Sequence, residues 1–287
     1  MTAVLEPTVV RAAPPKRRRW SVDRPIILAI AAVYFLVPLA AAVWFTIEDK
    51  RNGGVTGEYY AAIPAADGFA AALRRSLSLA VLTVLGVLLV TVPAMLAVTL
   101  RLPKLRPIVE GLSLLPLVIP PIALVAGVRD MLALGPNQLA GTPLGDFLVS
   151  SQDPELPYIL IIVYIVLATP FAYRSLDAGI RSIDARTLVD AARGLGASWP
   201  TVVWRVLLPN LRSAVLGAAF LTLGLVLGEY TIASILLFET LPTWLVKISG
   251  ASGQLSVAVS TASLLFTWIL LLVVSLADRR KSSGGTA

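Results

Sequence analysis

The sequence contains no cysteine and no histidine, and it is poor in charged residues. Without cysteine there is no disulfide framework, thiolate catalysis or Cys-ligated metal, and without histidine there is no imidazole acid–base chemistry. Charged residues make up 14% of the 287 residues and hydrophobic residues 57%, whereas an average soluble domain has about 25% and about 45–50%. With a mean hydropathy of +0.82, this composition excludes both an ordinary soluble domain and a disordered chain.

Six apolar runs approach or exceed the length that a membrane-spanning helix needs, which is about 20 residues. They predict an all-α polytopic membrane protein with six spans, at 25–47, 76–100, 108–128, 157–173, 213–238 and 257–277. The first run is longer than the core of a signal peptide and five more follow it, so we interpret it as an uncleaved helix.

The number of basic residues alternates between high and low from one connecting segment to the next. Eighteen of the 24 lysine and arginine residues lie in the first tail, in 101–106, in 174–212 and in the last tail, and six lie in the other segments. The positive-inside rule therefore predicts that both termini are cytoplasmic. The tails, 1–24 and 278–287, are predicted to be polar cytoplasmic arms, the first held near anionic lipid. Since the basic residues sit between apolar blocks, nucleic acid is not an expected partner.

Proline and glycine interrupt several of these segments. Pro120 and Pro121 lie within the third run, and residues 129–156 are predicted to form an irregular outer loop with at most short helices. A proline within a span frees a backbone carbonyl, which must find a partner in the protein or in a wet cavity. Such a span either borders a transport pathway or is a kinked packing helix, and the sequence leaves both interpretations open.

The long inner loop, 174–212, has the pattern of a helix-turn-helix. Apolar residues at helical spacing predict a short helix with one apolar face, formed by Leu188, Ala191, Ala192 and Leu195. Asp184 is expected to cap its start, and Gly196 to adopt the left-handed conformation after its end. The pattern alone also fits a helix that lies on the membrane surface.

A second helix is predicted after this turn. Ser198 is expected to be its N-cap, with Pro200 in the first turn, and Pro209 is expected to separate it from the fifth span.

The residues in this loop resemble the cytoplasmic signature of permease subunits of binding-protein-dependent ABC importers, Glu-Ala-Ala-x3-Gly-x9-Ile-x-Leu-Pro. Every spacing agrees, with Asp190 in place of Glu and Val206 in place of Ile. The resemblance covers 70–277, with the 25–47 helix as an N-terminal addition. It implies that the ATPase-coupling residues are Leu188, Asp190, Ala191, Ala192, Leu195, Gly196, Val206, Leu208 and Pro209.

The same resemblance implies a pore subunit, without enzymatic activity, in a bacterial plasma (inner) membrane. Its expected partners are an ABC ATPase dimer, a second permease subunit (a homologue rather than a copy), an extracytoplasmic solute-binding protein and membrane lipid. The sequence has no Gly-x4-Gly-Lys-[Ser/Thr] phosphate loop. We therefore expect no cofactor or metal in this chain, with ATP and Mg²⁺ on the partner ATPase.

The fifth span carries the strongest indication of the solute. Its segment Gly228-Glu229-Tyr230-Thr231 is similar to the branch that contains spermidine/putrescine, thiamine, ferric-iron and phosphonate permeases, and we predict a polyamine. Glu229 is either a pathway or gate residue, with Tyr230, Pro120 and Pro121 as further candidates, or a structural acid bonded to Thr231, a serine or freed backbone.

Two other classes of protein fit the membrane composition less well. A membrane-embedded enzyme is disfavoured because the spans contain no acid pair or nucleophile–base set. An ion-coupled secondary transporter is the remaining alternative, disfavoured because the sequence shows no internal repeat.

Overall fold

A computed structural model describes residues 23–49 and 53–282, with side chains from 25 to 269 within those ranges. Of the predicted tail 1–24, only the backbone of the last two residues is described. The side chains of 278–287 also lie outside the described residues. The major helices are α1 (Asp23–Ile47), α2 (Glu58–Ala62), α3 (Phe69–Leu100), α4 (Arg106–Leu114), α5 (Pro121–Asn137), α6 (Pro143–Ser150), α7 (Tyr158–Ser182), α8 (Ala185–Gly194), α9 (Trp199–Thr201), α10 (Leu208–Asn210), α11 (Arg212–Gly228), α12 (Thr231–Ile235), α13 (Leu241–Ser249) and α14 (Gly253–Ser282). A π-helix, Val202–Leu207, joins α9 to α10.

The core of the molecule is a bundle of α3, α7 and α11. The backbones of α7 and α11 come very close, since an ideal Cβ built on Gly179 would lie 2.3 Å from the Cβ of Ala214. Next to this point, the Ser175 hydroxyl of α7 donates a hydrogen bond to the backbone carbonyl of Ala214 at 2.8 Å. Small residues allow this approach, as they commonly do between membrane helices.

Four helices are long and apolar enough to cross a membrane: Pro25–Ile47, Phe69–Leu100, Tyr158–Ser182 and Arg212–Ile235. The last of these includes the break between α11 and α12. The predicted third span is not one straight helix, because Pro103–Leu117 and Pro121–Asn137 meet at an angle of 96°. Counted as one broken span, they bring the number to five. The predicted sixth span lies within α14, and the count of six stays a prediction.

The observed helices are also longer than predicted at their ends. Helix α3 begins at Phe69 rather than at residue 76, and two arginines of its first turns contact other segments. Arg74 forms an ion pair with Glu155 at 2.9 Å, and Arg75 donates to the carbonyl of Glu239 at 2.5 Å. The predicted irregular loop 129–156 is wrong at its start, since α5 continues through Pro136 to Asn137. The loop then contains the short helix α6.

Helix α1 packs mainly on α14, beside the central bundle. The amide of Gln254, near the start of α14, donates to the carbonyl of Phe45 at 3.1 Å. The hydroxyls of Thr46 and Tyr60 lie 2.9 Å apart, which ties α1 to α2. The N-terminal helix is therefore attached to the last helix rather than inserted among α3, α7 and α11.

We expect the substitution Gly179→Ala to lower the melting temperature of the purified chain. The added methyl would force α7 and α11 apart, and overpacking of this kind costs about 1–3 kcal/mol. Gly224→Ala in α11 is the matched control, because a Cβ there meets no atom within 4 Å. Equal melting temperatures for the two variants would show that the close contact does not stabilise the bundle.

Candidate functional site

Helix α8 begins at the predicted cap. The carboxylate of Asp184 accepts one hydrogen bond from the Thr187 hydroxyl at 2.6 Å and another from the Thr187 backbone N–H at 3.3 Å. These two bonds, in that order, hold the pKa of Asp184 below its usual value. The cap is therefore charged at neutral pH, and the predicted start of the helix is confirmed.

The two faces of α8 differ from the prediction. Ala192 packs against the bundle beside the buried Val189 and Leu188 is partly buried, whereas Ala191 and Leu195 are exposed, Leu195 to 90%. The four residues lie within about 100° of one another around the helix, as predicted, but they do not share one environment. The reason is geometric: the buried stripe is centred on Val189, and Ala191 lies about 200° further around the helix.

The outward face of α8 is formed by Thr187, Asp190, Ala191, Gly194 and Leu195, all of which are exposed. We call this set the outer α8 face. It combines small and polar side chains with a single large apolar residue at the end of the helix. Such a surface lets a partner approach the helix backbone closely.

The turn after α8 has the predicted conformation. Gly196 has φ +84°, and its N–H donates to the carbonyl of Arg193 at 2.9 Å. An added Cβ would meet no atom within 4 Å. The requirement for glycine at this position is therefore one of backbone conformation and not of space.

The second loop helix starts as predicted but ends differently. Ser198 occupies the N-cap position, yet its hydroxyl lies 2.9 Å from that of Thr201 and makes no bond to a helical N–H. Val206 lies in the π-helix, a rare form that often marks functional sites. Pro209 does not separate this helix from the fifth span. It lies in the first turn of α10, where proline is tolerated, and the chain turns at Leu211 instead.

Buried side chains fix the loop to the end of the bundle. Val189 of α8 and Leu207 of the π-helix belong to the same core cluster as Ile180 near the end of α7. Close to this cluster, Asp177 of α7 forms ion pairs with Arg106 of α4 and, at 2.8 Å, with Arg181. Sequence reasoning missed this trio, although the spacing of Asp177 and Arg181 is that of a helical ion pair.

The fifth span is interrupted at Glu229, between α11 and α12. One carboxylate oxygen, Oε1, accepts from the backbone N–H of Ile232 at 2.7 Å. The other, Oε2, accepts from the Tyr164 hydroxyl of α7 at 2.9 Å and from the N–H of Ala233 at 3.2 Å. The predicted span 213–238 is matched by the candidate membrane span Arg212–Ile235, but its helix is interrupted at Glu229. The carboxylate satisfies N–H groups that the break leaves without helical partners.

These contacts favour the structural interpretation of Glu229 through the freed backbone rather than through Thr231 or a serine. Tyr164 was not identified from the sequence, because it lies 65 positions away and has no local signal. Tyr230 is exposed next to the break. A pathway or gate role for Glu229 and Tyr230 stays a prediction.

The two prolines of the third run form its bend. Pro120 has φ −58° and ψ 137° and precedes α5, which begins at Pro121. Both are exposed. The prolines thus explain the change of direction, whereas their predicted role along a pathway is untested. Among the side chains described, no group of three or more acidic residues is placed to hold a metal ion.

Three comparisons place the chain among known proteins. The family model described as "Binding-protein-dependent transport system inner membrane component" matches residues 68–282. The molybdenum transport system permease protein ModB of Mycobacterium tuberculosis is 31% identical over 202 residues, which are 70% of this chain and 72% of that protein. The spermidine/putrescine permease protein PotC of Escherichia coli K12 is 24% identical over 265 residues, 88% of this chain and 92% of that protein.

The fold is also found among solved structures. A chain of a bacterial ABC transporter that imports the acidic polysaccharide alginate superposes with a TM-score of 0.65. The match covers 92% of this chain and 95% of that chain, at 19% sequence identity. The structural likeness shows that the two chains share a fold.

We expect Glu229→Ala to lower the melting temperature, because it removes the acceptor of three hydrogen bonds at the break. A buried donor left without a partner costs about 1–3 kcal/mol. Glu155→Ala is the control, since Glu155 is 71% exposed and its ion pair with Arg74 lies at the surface. A Glu229→Ala variant as stable as Glu155→Ala would contradict the structural role.

Proposed function

The chain belongs to the family of inner-membrane components of binding-protein-dependent transport systems, and from this premise we propose that its outer α8 face is the docking surface for an ATPase. In this proposal the chain is one of two permease subunits of an ATP-driven importer. Binding and hydrolysis of ATP belong to the partner. A solute-binding protein delivers the solute to the opposite side of the membrane.

The observation that carries the docking proposal is the composition of the outer α8 face. A helix that lies on lipid needs large apolar residues along its exposed side. Here that side carries Asp190 and Ala191, and Leu195 is its one large apolar residue. The apolar residue Val189 is instead buried against the protein, and Leu188 is partly buried. This distribution supports a protein partner over a lipid surface.

The connections of α8 support a role in transmitting force. Only Ile183 and Asp184 separate α8 from α7, and the π-helix and α10 lead from the loop into α11. A displacement of α8 would therefore act directly on two of the three central helices. The buried contacts of Val189 with the bundle make this connection rigid.

We propose a polyamine as the solute. Support comes from the similarity to PotC, which extends over 88% of the chain. A second candidate is a molybdenum oxyanion, because ModB shows the higher identity, 31%, over a shorter segment. The two candidate solutes can be distinguished by measuring uptake of labelled putrescine and of molybdate in one preparation of the complete transporter.

The orientation of the loop is part of the proposal, and reporter fusions test it. The excess of basic residues in 174–212 predicts that a reporter inserted between 180 and 200 is cytoplasmic. A reporter inserted between 140 and 155 is expected on the opposite side. A loop 180–200 found outside the cell would contradict ATPase docking.

We expect Ala191→Trp to abolish solute-stimulated ATP hydrolysis and uptake by the transporter. Ala191 is exposed on the outer α8 face, so the indole would not disturb the bundle but would clash with a closely docked partner. Such overpacking costs about 1–3 kcal/mol. The amount of the chain in the membrane should stay within twofold of the parent, as measured by immunoblot.

Ser182→Trp is the matched control for this variant. Ser182 is exposed at the last residue of α7 and lies outside the outer α8 face. It should retain uptake and ATPase association. Full uptake by Ala191→Trp would defeat the docking proposal, since a helix on lipid tolerates tryptophan.

A further inference from the structure

We propose that a groove at the end of α3 binds an anionic phospholipid, with its phosphate at Arg101 and an acyl chain along the helix. The groove has a volume of about 280 Å³ and lies between α3 and the second loop helix. Its apolar part includes Pro93, Leu96, Ala97 and Leu100, and its polar end is formed by Arg101 and Trp199. An apolar channel that ends at a cation has the chemistry of an anionic amphiphile. The proposal does not depend on ATPase docking.

Two guanidinium groups meet at one aromatic ring at the polar end. The Cζ atom of Arg101 lies 4.3 Å from the centre of the Trp199 ring, and that of Arg193 lies 5.6 Å from it. Arg193 donates one hydrogen bond, to the carbonyl of Ala197 at 2.8 Å. No carboxylate of the described side chains forms an ion pair with either arginine. The pair therefore has N–H donors and positive charge available for a phosphate.

The apolar end of the groove continues as an exposed stripe on α3. Leu85 and Leu89 are 59% and 76% exposed and precede Pro93 at intervals of four residues, so they continue the row of side chains that runs through Pro93 and Ala97 to Arg101, inclined by about 26° to the helix axis. From Leu85 to Arg101 the helix rises about 24 Å. Half of a bilayer core is about 15 Å thick, so the stripe is long enough for an acyl chain.

The position of these residues favours a lipid over other anions as the bound ligand. Arginine and tryptophan at the end of a spanning helix lie where phospholipid headgroups are found. A free phosphate would use Arg101 but not the apolar stripe. The combination of cations, indole and stripe along one helix therefore points to the headgroup and the chain of one molecule.

The test is native mass spectrometry of the full chain, purified with its associated subunits and stripped of lipid. Phosphatidylglycerol and phosphatidylcholine with identical acyl chains are added separately. We expect preferential binding of phosphatidylglycerol, reduced at least fivefold by Arg101→Ala. Arg205→Ala is the matched control, because it removes the same charge from an exposed residue of the π-helix, outside the groove. It should bind phosphatidylglycerol like the parent.

A second variant separates a lipid site from a simple anion site. Ala97→Phe would fill the apolar groove and leave both arginines in place. We expect it to lose phosphatidylglycerol while binding of inorganic phosphate at Arg101, measured by the same method, stays unchanged. Equal binding of the two lipids by the parent, equal losses in Arg101→Ala and Arg205→Ala, or undiminished lipid binding in Ala97→Phe would each overturn the proposal. A change of subunit stoichiometry in Ala97→Phe, without loss of lipid, would assign the groove to a protein contact instead.

Discussion

The contact between α7 and α11 sets the positions of both ends of the molecule. Near the loop, Ser175 donates to the carbonyl of Ala214 at 2.8 Å. At the other end of the same two helices, Tyr164 donates to Glu229 at 2.9 Å. Where water is excluded, polar groups must find partners within the protein. The two hydrogen bonds therefore fix α11 against α7 at two points, and the loop between them in sequence is held at one end of the bundle.

The break at Glu229 follows from the same requirement. Helix α11 ends at Gly228, and the N–H groups at the start of α12 would lack acceptors in an apolar environment. One carboxylate supplies acceptors for two of them and also receives the Tyr164 hydroxyl. Glu229 is a charged residue in an otherwise apolar run, and its carboxylate thus allows the helix to be interrupted there. Helix α8 has the opposite arrangement, with Val189 and Ala192 packed against the bundle and Asp190 and Ala191 turned outward.

Local features of the site could be predicted from the sequence, whereas tertiary ones could not. The cap at Asp184 and the left-handed turn at Gly196 depend on neighbouring residues, and both are observed. The division of α8 into two faces depends on where the bundle lies, which the spacing of Ala191 and Leu195 does not specify. Prolines predicted an interruption in the third span, but its 96° bend depends on the packing of both halves. The family signature supplied the functional hypothesis, which no single contact in the fold reveals.

The central claim, that the outer α8 face contacts an ATPase, can be measured directly because the chain contains no cysteine. A single cysteine at Leu195, which is 90% exposed, carries a short photoactivated cross-linker in the assembled transporter. A cysteine at Ser182, which is exposed at the last residue of α7 and lies outside the outer α8 face, is the control. We expect Leu195→Cys to cross-link to the ATPase subunit and Ser182→Cys to give no such product. Cross-links from Leu195→Cys to lipid alone, with the ATPase present in the complex, would contradict the account.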